Sequence, residues 1–373
     1  MSNDDFQSAG ATVAMAHVFP SFDFGGQQSR FATLANGLGP GFRHYVIALD
    51  GALGGKSMLD DTVDAEVRAF AAEKSSIVSV SAVTGLRDLL REASPSILCT
   101  YNWGAMEAVI ANRLFLGLPH IHFEDGFGPG ENPSSQIGRR VWARRALLGR
   151  STVVVPSRVL EKLALERWRL RPETVRRLSN GVDLARFATA RRSRESEDVL
   201  IGSIGALRPE KNYGRLIAAV EAIDGPYASL EILGDGPERV MLEEIASSTA
   251  SAARVHLRGA TAQTEAAYAR FDIFALSSDT EQAPISLMEA MAAGLPVVAT
   301  DVGDVARMVS EENRAFITPL GDEQAYRDAL QRLAGDEALR LRLGKANAEK
   351  ARRDYAATKM IEAHRSIYLN ALI

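Results

Sequence analysis

The chain has one cysteine, Cys99, among 373 residues. That excludes an intrachain disulfide framework and suits a reducing compartment. It has no apolar run of about 18 residues, so no segment reads as a membrane span. Its first residues, MSNDDFQSAGA, are acidic and polar, and are expected to be a short disordered lead-in rather than a signal peptide. An excess of one charge is missing too. Against 43 Lys and Arg stand 47 Asp and Glu, a formal net charge of −4, and no whole-protein attraction to nucleic acid follows. The usual phosphate fingerprints are incomplete. In DGALGGKS three residues separate Gly51 from Gly55 where a P-loop needs four, and the segment is read as a turn-rich loop. Neither GFGPGE nor GDGPER carries the third glycine of the dinucleotide motif in place.

What is present is a repeated alternation. From Val13 onward, β-rich runs (VAMAHVF, HYVIALD, SIVSVS, ILCTY, HIHFED, TVVVPS) alternate with helical ones. After the charged stretch ATARRSRESED the pattern restarts with VLIGSIGAL, ASLEILGDG, VHLRGA, IFALSS, PVVATDVG and RAFITPL. Such alternation predicts parallel sheets with helices on both faces, here twice: two Rossmann-like, doubly wound α/β domains. The expected domains are residues 12–185 and 198–352, with a C-terminal helix near 355–373 packing back on the first through Met360, Ile361, Ile367, Tyr368 and Leu372. Ligands of such sheets bind at the carboxyl ends of the strands, and a cleft between the domains is the expected place.

The stretch EQAPISLMEAMAAGLPVVATDVGDV, residues 281–305, is the most unusual. Pro284 suits a first helical position, and a buried helix running to Ala293 can end at Gly294, with an interior strand over Leu295–Thr300 to follow. The helix start offers amides, from Ala283, Ile285 and Ser286, that attract phosphate. Glu281 and Glu289 repel phosphate, so carboxylates here call for hydroxyl donors. The combination suits a ligand with phosphates flanked by polyols. His120, His122 and Glu124 share one strand face in a pattern also open to a metal, although satisfied buried histidines are the commoner case.

These residues resemble the signature of the retaining group 1, family 4 glycosyltransferases of the GT-B fold: Glu281, seven residues, Glu289, then AMAAGLPVV. Further segments match in family order: FDFGGQQSR, VVVPSRVLEKL, LSNGVDLARF, IGALRPEKN and ILGDGPER. The resemblance implies that Glu289 binds ribose hydroxyls and Glu281 donor-sugar hydroxyls. It places Gly25, Gly26, Ala283, Pro284 and Ile285 around the diphosphate, with Lys211 as the cation on the leaving phosphate. Where relatives carry arginine after the glycine of IGALRPEK, this chain has Ala206. Arg208, two residues on and on the same face if the strand continues, is the expected substitute. Where relatives often have histidine before a glycine, this chain has Asp125 before Gly126, a candidate for a sugar or acceptor hydroxyl.

The expected activity is transfer of a sugar from a nucleoside diphosphate sugar to an acceptor hydroxyl with retention, without metal or other cofactor. The alternatives are an epimerase or phosphorylase on the same fold, or a non-catalytic nucleotide-sugar-binding protein. Five arginines and no acid lie between Arg139 and Arg150 in QIGRRVWARRALLGR, with Ile137, Val141 and Leu148 as an apolar stripe beside Trp142. Such a basic amphipathic helix is attracted to anionic lipid. A cytoplasmic enzyme touching the inner membrane face through Arg139, Arg140, Arg144 and Arg145, with a lipid-linked or saccharide acceptor, is the expectation.

Overall fold

In β1, Val13–Phe19, alternate side chains enter two different cores: Val13, Met15 and Phe19 join one cluster, Ala16 and Val18 another. A strand buried on both faces belongs inside a parallel sheet covered by helices, and the computed structural model, which describes residues 12–71, 79–128, 130–188, 198–223, 228–248, 254–261 and 263–373, has two such sheets. The first comprises β1, β2 (Phe42–Ala48), β3 (Ala65–Ala69), β4 (Ile97–Tyr101), β5 (His120–Phe123), β6 (Thr152–Val155) and β7 (Val175–Arg177), all parallel, in the order β3-β2-β1-β4-β5-β6-β7. The second comprises β8 (Val199–Ile204), β9 (Ala228–Leu233), β10 (Val255–Gly259), β11 (Ile273–Leu276), β12 (Val297–Thr300) and β13 (Ile317–Thr318), again parallel, in the order β10-β9-β8-β11-β12-β13. In each sheet the winding reverses beside the first strand, at β1/β4 and at β8/β11. That is the switch point where open α/β sheets take ligands.

The described residues form two compact units. One runs to Asn180 and includes Thr358–Ile373; the other is Gly181–Ala357. Residues 181–188 belong to the second unit, a few positions before the drop in hydrophobicity. Val182 pairs with Ala356 there, donates its amide to Tyr355 O at 2.8 Å and accepts from Ala357 N at 2.9 Å. Phe187 packs edge-on against Tyr268. From Thr358 on, the helix Ala357–Asn370 lies in the first unit, where Tyr368 and Leu369 enter the core beside Phe31 and Leu38. Gly37 allows the close approach: a Cβ there would lie 2.3 Å from Ile361 Cδ1.

Two readings of the sequence change. SIVSVS is not a strand where it is described: Ser79 Oγ caps a helix over Val80–Ala93, and the preceding residues 72–78 lie outside the described ones. The strands β3 and β7 had no apolar signal because they are sheet edges with polar residues such as Glu66, Arg68, Arg176 and Arg177. DGALGGKS, read as a turn-rich loop, runs into a 3-10 turn over Gly54–Met58, in keeping with that reading. The N-terminal lead-in and most of ATARRSRESED lie outside the described residues.

Candidate functional site

In the second unit the loops after β8 and β11 are stitched together at the carboxyl edge of the sheet. Ser277 Oγ donates to Lys211 O at 2.9 Å, and the Asp279 amide donates to Glu210 O at 2.8 Å. Asn212, at φ 44°, caps the helix Tyr213–Glu221 by accepting from the Arg215 amide; asparagine tolerates this left-handed conformation. The turn this makes puts Lys211 Nζ 2.5 Å from Glu281 Oε1, which also accepts from Ser278 Oγ at 2.8 Å. Gly303, at φ +60°, lets the loop after β12 pass the Glu281 carbonyl, from which a Cβ would be only 2.2 Å away. Sequence reading separated the roles of Lys211 and Glu281, and the structure brings the two side chains together.

Glu289 sits elsewhere. It is the fifth residue of the helix Ile285–Ala292, for which Pro284 is the cap rather than the first residue, and which ends one residue earlier than expected. Its Oε2 accepts from Tyr268 OH at 2.9 Å, and that hydroxyl also reaches Ser286 O at 3.0 Å. Burial, only partly opposed by the Tyr268 hydrogen bond and by Arg186, pushes the Glu289 carboxyl up to about 7. Ala283 and Pro284 are buried; Ile285 and Ser286 are partly exposed at the helix start. The Ala283 amide counted among the open donors belongs to a residue that interacts with its surroundings.

Arg208 is exposed, and the same-face argument for it fails. β8 ends at Ile204, so Ala206 and Arg208 lie in the following loop, where the Arg208 amide bonds to Ala206 O at 2.9 Å.

In the first unit, Gly25 caps the helix Gly26–Leu38, and both glycines are exposed. One turn along, Arg30 is buried, with its guanidinium over the Phe123 ring. It forms a two-pronged ion pair with Asp125, Nη2 to Oδ2 at 2.9 Å and Nη1 to Oδ1, while Gln27 Nε2 donates to Oδ2 at 3.1 Å. The Asp125 amide donates to Asn102 Oδ1 at 2.7 Å. Asn102 holds φ 53° with an extended ψ, a conformation costly for a residue with a Cβ and typical of functional sites. Asp125 thus sits beyond β5 as a fixed, partly exposed carboxylate. Arg30, Gln27 and Asn102 were missed in the sequence. A charged residue inside the apolar period of Phe31, Leu34 and Leu38 was the available signal.

On the other face of the same sheet, His120 Nε2 and His122 Nδ1 both meet Thr100 Oγ1 at 2.8 Å, His120 Nδ1 meets Ser151 Oγ at 2.7 Å, and His122 Nε2 meets Glu124. Among the described residues no group of three or more His, Cys, Asp or Glu is arranged to hold a metal. Glu124 receives Arg144 instead. Burial raises the Glu124 carboxyl, but Arg144, helped by His122, outweighs it and holds the group at about 2.

This corrects the basic-face reading of the helix Gly138–Leu148. Arg144 is fully buried between Glu124 and Glu131 and stacks on Trp103 and Trp168, and Arg140 Nη1 bonds Glu131 Oε2 at 3.0 Å. Both face inward because two buried carboxylates await them. Arg139, Arg145 and Trp142 stay exposed. No helix among the described residues is long and apolar enough to cross a membrane.

Residues 186–350 match the family model described as glycosyl transferases group 1, and residues 25–181 match the glycosyl transferase 4-like domain. The lipopolysaccharide core biosynthesis glycosyltransferase LpsE of Rhizobium meliloti is 28% identical over 178 residues, 47% of this chain and 52% of that protein. A GDP-mannose-dependent alpha-mannosyltransferase of Mycobacterium tuberculosis is 31% identical over 262 residues, 66% of this chain and 64% of that protein. The match thus spans about half to two thirds of these relatives' length. Among solved structures, Alr3699/HepE of Anabaena, in complex with UDP and glucose, superposes with a TM-score of 0.82 at 17% identity, covering 96% of this chain and all of that one.

Proposed function

This chain belongs to the group 1 glycosyltransferases and has their GT-B fold, and from that premise we propose that it moves a sugar from a nucleoside diphosphate sugar to an acceptor hydroxyl with retention at the anomeric carbon. The observation that carries the reading is Lys211 beside Glu281 at the carboxyl edge of the second sheet, 2.5 Å apart. A cation suits the leaving diphosphate, and a carboxylate next to it, which repels phosphate, suits the hydroxyl donors of a sugar. Relatives named for lipopolysaccharide core synthesis and for GDP-mannose-dependent transfer support the same class of chemistry.

Lys211 stabilises the leaving phosphate as the C1–O bond breaks, with Arg208 and the Ile285 and Ser286 amides adding to it. Glu281 takes hydroxyls of the donor sugar. Glu289, with Tyr268, takes ribose hydroxyls. The acceptor oxygen bonds to C1 on the face the phosphate leaves, and its proton passes to a phosphate oxygen. No protein nucleophile, metal or cofactor enters this scheme. In the first unit Gly25 and Gly26 let an anionic group approach the backbone, and Asp125 accepts from an acceptor hydroxyl.

The acceptor is a lipid-linked or other saccharide, and Arg139, Arg145 and Trp142 are the residues left to meet an anionic membrane surface. The test is a thermal-shift panel of nucleoside diphosphates and their sugars, followed by incubation of the stabilising donor with cell extract. Acceptor-dependent release of nucleoside diphosphate is expected. Epimerised donor, or binding without turnover, overturns the reading.

A further inference from the structure

We infer that the Lys211–Glu281 ion pair discriminates sugar-bearing nucleotides from bare nucleoside diphosphate, and so drives the product out of the site. The inference rests on the nucleotide-sugar reading above. Glu281 Oε1 is saturated, by Lys211 Nζ at 2.5 Å and Ser278 Oγ at 2.8 Å, and the pair is only partly shielded from solvent, with side-chain exposures of 22% for Lys211 and 10% for Glu281. The loops that carry them cannot separate freely, because Ser277 holds Lys211 O and Asp279 holds Glu210 O.

A diphosphate that engages Lys211 therefore arrives within a few ångströms of a carboxylate that has just lost its cation. Like charges at such range in a half-buried site repel strongly. A sugar on the diphosphate relieves this, since its hydroxyls donate to Glu281 in place of the ammonium. Bare nucleoside diphosphate carries no such donor next to the phosphate. It must either compete with Glu281 for Lys211 or leave Glu281 unpaired beside its own negative charge. Once the sugar has been transferred, the hydroxyl donors depart with it, Glu281 recaptures Lys211, and the diphosphate loses its cation. Ion pairing inside the empty site thus acts against the product and in favour of the next donor, which is specificity obtained from repulsion.

Calorimetric titration of the full chain with UDP, UDP-glucose, GDP and GDP-mannose tests this. For the base that binds, the wild type is expected to hold the sugar nucleotide more tightly than the diphosphate. Glu281→Gln is expected to tighten the bare diphosphate at least tenfold while leaving the sugar nucleotide unchanged or weaker, so that the preference reverses. Glu281→Asp keeps the charge and should keep the diphosphate weak. Ser278→Ala, which removes a donor from Oε1 and leaves the carboxylate charge less offset, should move the diphosphate the opposite way from Glu281→Gln and weaken it further. Equal diphosphate affinity in wild type and Glu281→Gln overturns the inference and leaves the nucleotide-sugar reading standing. A wild type that binds none of the four ligands overturns both.

Discussion

Arg144 donates Nε and Nη2 to the two carboxylate oxygens of Glu124, at 2.9 and 3.1 Å, and solvent reaches neither side chain. The next residue, Asp125, is gripped by Arg30, so two successive carboxylates at the end of β5 are each held by a different arginine. Removing one member of a buried pair strands the other charge, at about 3–5 kcal/mol. Arg144→Met is expected to lose about that much stability in urea unfolding. The double variant Glu124→Gln/Arg144→Met should recover most of it, because no lone charge remains. A single variant with wild-type stability would mean that the pair contributes nothing.

The inward placement of Arg144 and Arg140 leaves other residues for a membrane-binding test to change. Co-sedimentation with anionic vesicles at low salt should fall when Arg139 and Arg145 become glutamine and Trp142 becomes alanine. Each exposed cation is worth about 1 kcal/mol near such a surface. Wild-type protein that stays in the supernatant removes the membrane proposal.

Glu289 makes stability depend on pH in a direction unusual for a carboxylate. Its folded value, about 7, lies above the ordinary 4.5. The folded state therefore prefers the protonated form, and this contribution is complete below about 4.5 and is lost as the pH rises through 7, by about 3 kcal/mol in all. Glu289→Gln should unfold at a temperature close to that of the wild type at pH 4.5 and become progressively more stable than it by pH 8. The same variant should bind nucleotide at least tenfold more weakly. Parallel melting curves across that range would refute the burial argument.

Lys211 and Arg208 should differ in weight. Lys211→Ala is expected to lower turnover by about a hundredfold, as for one preorganised charge donor. Arg208→Ala should lower it by about tenfold, since an exposed side chain on a loop is less well placed. Steady-state rates of nucleoside diphosphate release measure both. A loss for Arg208→Ala no larger than for Arg352→Ala, another exposed arginine, would leave Ala206 without a substitute.

Asp125→Asn keeps the shape of the Arg30 contact and removes the charge-assisted acceptor. Transfer to the acceptor should drop at least tenfold while calorimetric affinity for the nucleotide stays at the wild-type value, a split that a general loss of fold would not give.

Much of this protein is written locally. The period-two burial of Val13–Phe19 and the restart at Val199 follow from apolar runs that only a doubly covered sheet can bury. The helix start after Pro284 and its end at Gly294, φ +74°, follow from backbone chemistry that no distant residue needs to supply. The spacing of Glu281 and Glu289 about that helix was likewise readable without the fold. Side-chain partnership was another matter. Lys211 meets Glu281 from 70 residues away, Arg30 meets Asp125 from 95, and Tyr268 meets Glu289 from 21. Parallel strands bring all their carboxyl ends to one edge whatever their order in the chain, so which loops become neighbours is decided by sheet order. For the same reason the helix Gly138–Leu148 looked like a basic surface in sequence. Only the fold places Glu124 and Glu131 beneath it, and a buried carboxylate binds an arginine more firmly than water does.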